Sequence, residues 1–124
     1  MHVQSYEVEV QTDGDGNASV STPALNGLLD RIQYVKDGSN GFADGVDFTV
    51  TMAETGEALW SQEDVNASAV VAPRQAVHGT DGGASLYADA GEAVLDRIAV
   101  KGPATIAIAD GGANKVAVFR IVTI

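Results

Sequence analysis

The residues of this chain best equipped for chemistry fall in two short stretches. In HGTDGGAS, residues 78–85, His78 could act as a base, Asp81 could orient it, and Ser85 could serve as a nucleophile, the parts of a small hydrolase. In TDGDGNASV, Thr12 to Val20, the oxygens of Asp13, Asp15 and Asn17 match positions 1, 3 and 5 of a calcium loop. Neither pattern is complete. A nucleophilic serine of the elbow type needs the form G-x-S-x-G, which GGASL lacks. The calcium loop needs Gly at its sixth position and a bidentate Glu at its twelfth, where this chain has Ala18 and Ala24. The expectation is therefore a surface histidine in the first stretch and a hairpin corner in the second, with Asp13, Asp15 and Asn17 kept as a weak cation candidate.

Other motifs are poorer still. DGGAN, Asp110 to Asn114, is glycine-rich but has neither the Lys and Ser/Thr of a phosphate-binding loop nor a helix behind it, and reads as a hairpin turn. His2 and His78 are too far apart in sequence to suggest a metal-ligand pair. Cysteine is absent, which removes disulfides, thiolate metal sites and a Cys nucleophile together. Asn17-Ala-Ser and Asn66-Ala-Ser fit the glycosylation pattern, but MHVQSYEVEV carries no basic region followed by an apolar run, so no secretory signal is expected. No cofactor is expected either.

The elements that would position these residues are strands. Tyr6, Val8 and Val10 share one face while Glu7, Glu9 and Gln11 share the other, and Val46, Phe48, Val50 and Met52 alternate in the same way against Asp47, Thr49 and Thr51. Leu29–Lys36, Ala58–Ser61, Ser68–Ala72, Leu95–Val100 and Thr105–Ala109 are further candidates. Lys115–Ile124 is apolar on both faces, as a central strand would be. Six Asp-Gly pairs punctuate these runs, and Asp and Gly both accept the positive φ of tight reversals. Pro23–Arg31 and Gly91–Arg97 could each hold a turn or two of helix. About eight short strands with turn signals every ~8–12 residues predict one all-β domain over 1–124, an antiparallel β-sandwich or Greek-key barrel. Residues 73–91 fit no pattern and are expected to form one long excursion or arm.

Charge narrows the function further. The formal net charge is -10, with 17 acidic residues against 7 scattered basic ones, so neither nucleic acid nor an anionic membrane surface is an expected partner. At 45% apolar residues the chain is expected to fold rather than stay disordered. Trp60, the only tryptophan, suits a core position or an interface anchor. Arg74 follows Pro73, whose fixed φ stiffens the backbone beneath a guanidinium that could make a directed salt bridge.

Three segments, RIQYVKDGSNGFADGVDFTVTMAETGEALW, VNASAVVAPRQAVHGTDGGASLYA and TIAIADGGANKVAVFRI, together resemble small virion structural proteins of tailed bacteriophages. The resemblance spans roughly Ile32 to Ile121. It is most specific at Asp44–Thr51 with Thr55-Gly56, and at Ala72-Pro73-Arg74 leading to His78-Gly79 and Ala84-Ser85-Leu86-Tyr87-Ala88. It implies a non-enzymatic role, most like that of a capsid decoration or cement protein on the capsid exterior, with the major capsid protein as partner and self-association as trimers or capsomer-junction clusters. A tail-tip, fibre or head-tail connector component is the alternative. Docking would fall on Arg74, His78, Leu86 and Tyr87, with Trp60 nearby, and on the first strand through Val3 and Tyr6, which could add to a neighbour's sheet.

Overall fold

The computed structural model describes residues 3–76 and 95–124, and among these every regular element is a strand. In chain order they are β1 (Gln4–Gln11), β2 (Ala18–Ser21), β3 (Leu25–Lys36), β4 (Val46–Met52), β5 (Ala58–Val65), β6 (Ala69–Val71), β7 (Arg74–Ala76), β8 (Leu95–Gly102), β9 (Ala104–Ala109) and β10 (Val116–Thr123). Two antiparallel sheets pack face to face as a β-sandwich. The larger runs β1-β10-β3-β8-β7, with β6 also paired to β3, and the smaller runs β2-β9-β4-β5.

Alternation explains the core. Val46, Phe48, Val50 and Met52 point inward from β4, and Val8 and Val10 from β1, all buried; Tyr6 is half-buried against them. β10 lies between β1 and β3, as its two apolar faces predict, burying Ala117, Phe119 and Ile121 and leaving Val116, Val118 and Val122 half-covered on the outer face. The centre is aromatic. The Tyr34 ring lies 5.1 Å from Phe48, 5.4 Å from Phe119 and 5.9 Å from Phe42, and Trp60 meets Phe48 edge-on at 4.7 Å. Offset and edge-on contacts of this kind add about 0.5–1.5 kcal/mol each beyond burial.

Three expectations are corrected. Pro23–Arg31 holds no helical turn: Leu25 onward is the first half of β3, and Leu95–Arg97 opens β8. The register of β3 against β10 slips by one residue between Leu29 and Arg31, leaving Asp30 unpaired in a bulge. The buried residues Leu25, Leu29 and Ile32 therefore fall at spacings of a helix although they line a strand. The Asp-Gly corners among the described residues are not hairpins. β1 and β2 lie in different sheets, and so do β9 and β10, so both turns carry the chain from one layer to the other. Turn chemistry sets a local reversal; it does not say which layer receives the next strand. Finally, Arg74–Ala76, expected within the excursion, pair with β8 as a strand, and the rest of that stretch, 77–91, lies outside the described residues.

The Tyr34 hydroxyl is buried and finds no hydrogen-bond partner among the described residues. Burial, with the Asp44 carboxylate as a second cause, pushes its pKa up to about 12. An unsatisfied buried hydroxyl costs roughly 1–3 kcal/mol. Tyr34→Phe is therefore expected to match or exceed the wild type in urea denaturation; a loss above about 2 kcal/mol would reveal a partner for the hydroxyl.

Candidate docking surfaces

One end of the sandwich is built from three loops, residues 12–17, 37–45 and 110–115, joined mainly through backbone groups. Thr12 N–H donates to Lys115 O (2.9 Å), Asn114 N–H to Asp13 O (3.1 Å), Gly111 N–H to Gly16 O (2.9 Å) and Ala43 N–H to Gly111 O (2.9 Å). Val116 N–H reaches Asn40 O (2.9 Å), and the Asn40 side-chain amide reaches Asn114 O (3.1 Å). Glycine is needed here for approach as well as for φ. Gly16 has φ +84°, and a Cβ on it would lie 3.0 Å from the Gly112 nitrogen.

This is where the structure places Asp13, Asp15 and Asn17. Asp13 Oδ1 accepts from the backbone N–H groups of Asp15 (2.9 Å) and Asn17 (3.0 Å). Those bonds, that from Asn17 foremost, hold the Asp13 carboxyl below its ordinary range. The carboxylate is thus committed to capping its own turn. Asp37 does the same in the next loop, accepting from Asn40 N–H (2.7 Å) and Ser39 N–H (3.2 Å), with its pKa lowered by the same two bonds in that order. Among the described residues no group of three or more His, Asp and Glu is placed to hold a metal.

The remaining predicted site residues separate. His78, Leu86 and Tyr87 lie outside the described residues, as do Asp81 and Ser85. Trp60 is only 7% exposed and belongs to the core, its indole N–H spent on Gln62 Oε1 at 3.1 Å, so it offers a partner little surface. Val3 is exposed just before β1, and the Tyr6 hydroxyl donates to Gln4 Oε1 within the same strand.

Arg74 lies 3.9 Å from the Asp30 carboxylate, a loose ion pair, and its directed bonds go to backbone carbonyls. The bulge at Asp30 marks the point where one side of β3 changes partner, pairing with β8 through Leu29 and with β6 from Ile32. Asp30 has no register partner in any of these pairings, and Arg74 Nη1 donates to its carbonyl at 3.1 Å while also donating to Pro73 O at 2.7 Å. Arg74 Nη2, Arg97 Nε and Arg31 Nη1 then surround the Asp30 carboxylate at 3.9, 3.3 and 3.6 Å. Asp30, Arg31 and Arg97 escaped sequence reasoning because nothing in their local spacing links residues so far apart; only the strand pairing joins them.

The sheet edges differ in character. β1 ends the larger sheet and pairs with β10 over all eight residues, Gln4 to Gln11, without a register shift. β5 ends the smaller sheet, but its pairing with β4 slips twice and Asp64 within it takes φ 56°. Bulges and charges are the usual means of blunting an edge, and β5 has both. β1 has charge alone, in Glu7 and Glu9, with Glu7 Oε2 accepting from Arg120 Nε at 3.4 Å. A surface depression of about 420 Å³ lies beside this strand and is lined by Glu9, Val35, Lys36, Asp37, Val116 and Val118.

Two outcomes test these assignments. Because the Asp13 pKa is depressed by folding, its contribution is present above the ordinary carboxylate value of 3.8 and is lost as pH falls through the folded value. Asp13→Asn is therefore expected to melt below the wild type at neutral pH, with the gap closing in acid; a gap independent of pH would contradict the assignment. Arg74→Ala strips a donor from the Asp30 carbonyl and is expected to cost about 1–3 kcal/mol in urea denaturation. A cost near zero would show that the carbonyl is satisfied otherwise.

No protein-family model matches the chain, and no curated protein matches it. A crystal structure of FLHE is similar over 98% of this chain and 96% of its own, at 10% identity and a TM-score of 0.45.

Proposed function

We propose that this chain is a structural virion protein that decorates the outer surface of a tailed-phage capsid and cements it by bridging neighbouring coat subunits. The reading begins with the resemblance of the three quoted segments to small phage virion proteins. The observation that carries it is the β1 edge, a regular eight-residue strand at the end of the larger sheet. Such an edge presents unpaired backbone donors and acceptors to which a neighbour's extended segment can add, gaining main-chain hydrogen bonds without a pocket.

Charge fits the same role. An acidic protein repels its own free copies and the packaged genome, then docks where the shell offers complementary charge. Repetition supplies strength, since a modest contact made at many sites on a shell gives a large total resistance to internal pressure. On this reading the partner is the major capsid protein, self-association at capsomer junctions adds to the grip, and the residues act by contact rather than by catalysis.

The test is to mix purified protein with expanded shells that lack it. Saturable binding and a raised shell melting temperature are expected. Ser5→Lys/Glu9→Lys, which reverses the charge along the outer face of β1, is expected to weaken binding about tenfold or more with an unchanged circular dichroism spectrum. Absence of binding, or binding without any gain in heat resistance, would overturn the reading.

A further inference from the structure

The clustering of Arg31, Arg74 and Arg97 around Asp30 has a meaning beyond sealing the bulge. The chain has four arginines, and three of them converge on one carboxylate, which leaves two positive charges in surplus at that point among the described residues, in a protein whose net charge is -10. Asp96, adjacent to Arg97 in sequence, turns its carboxylate to the Arg97 backbone N–H at 2.7 Å. Three guanidiniums carry far more N–H donors than one carboxylate can accept. Arg74 spends part of its set on backbone carbonyls, whereas Arg31, 57% exposed, makes one long contact, with Asp30, among the described residues.

The surroundings of the cluster are apolar and open. Ile32 and Ile98 are buried, so the pleat turns Arg31 and Arg97 to the outer face of the larger sheet, and Arg74 stands opposite Arg97 on the neighbouring strand. Leu28 precedes buried Leu29 and projects the same way, as does Val70 between the core-packed Ala69 and Val71. These two side chains are 41% and 62% exposed, and Leu95, at the start of β8, is 56% exposed. Three of the four large apolar residues exposed among the described residues thus lie on the strands that meet at Asp30. Arginine set among exposed aliphatic residues is the composition of an interface centre rather than of a solvated face.

We infer that the outer face around Arg31, Arg74 and Arg97 is a docking surface for an extended protein segment in which Asp or Glu alternates with aliphatic residues. The guanidiniums bind the carboxylates, for which their planar fork is suited, and Leu28 and Val70 cover the aliphatic neighbours. The long-range field of an acidic protein does not prevent this, because in physiological salt charges act over only about 8 Å and the local surplus is positive. Free phosphate would satisfy the guanidiniums but leave the apolar flank uncovered, which favours a peptide as occupant. The inference does not depend on the capsid reading, since it concerns the chemistry of the segment and not its source.

The experiment uses the full chain, labelled with nitrogen-15, titrated with a short peptide alternating Glu with Leu or Val, with the same peptide carrying Lys in place of Glu, and with inorganic phosphate. Saturable amide shifts centred on Leu28, Arg31, Val70 and Arg97 are expected with the Glu peptide alone. Arg31→Glu and Val70→Lys are both surface changes, and each is expected to reduce affinity about tenfold or more, while Lys101→Glu, farther along β8, leaves it within about twofold. Absence of binding at millimolar Glu peptide would overturn the inference, as would binding untouched by both Arg31→Glu and Val70→Lys. Equal binding of phosphate at the same residues would overturn it too, by showing a simple anion site.

Discussion

A strand that leaves one sheet for the other abandons its ladder, and every N–H and C=O in the corner must find another partner or cost free energy comparable to a lost hydrogen bond. This chain makes that change repeatedly: β1 to β2, β2 to β3, β3 to β4, β5 to β6, β8 to β9 and β9 to β10 all pass between layers. Its sandwich depends on how those corners are satisfied. At one end three of them solve the problem together, each loop supplying donors and acceptors to the next, with Asp13 and Asp37 as side-chain acceptors. Gly16 and Gly111 allow the approach because a Cβ on either would press into the facing loop.

The same requirement explains Asp30. Where β3 exchanges β8 for β6 the ladder is interrupted, and an arginine reaches across to the exposed carbonyl. A backbone defect thereby recruits charge, and the charge recruited exceeds what the defect needs. The interior follows a different rule. Its aromatic centre of Tyr34, Phe42, Phe48, Phe119 and Trp60 joins residues from both sheets by shape and ring geometry, and there a polar atom, the Tyr34 hydroxyl, has no partner among the described residues. Corners are held by hydrogen bonds and the centre by packing.

Those two rules also separate what was legible in the sequence from what was not. Strict alternation marks β1, β4 and β10 because the extra residues at the register shifts sit on their partners β3 and β5, and the two-sided apolar pattern of residues 115–124 places β10 inside a sheet. The first half of β3 was obscured by a single extra residue, Asp30, which turned a period of two into spacings that imitate a helix. The described Asp-Gly pairs fall at corners between strands yet carried no information about layer, since a positive φ is a property of the turn and the destination is a property of the core. The arginine cluster was invisible for the related reason that residues 31, 74 and 97 become neighbours only through strand pairing.

Two surfaces stand out among the described residues, an edge and a patch: acidic β1 at one end of the larger sheet, and the arginine-rich face toward the other. The capsid reading treats both as grips. The most direct measurement is a cryo-EM map of expanded shells to which the protein has been added. The account predicts density on the outer surface at a junction between coat subunits, with β1 lying alongside a coat strand at the ~4.8 Å spacing of a continuous sheet. Density that sits elsewhere with β1 facing solvent, or a shell left bare, would contradict it.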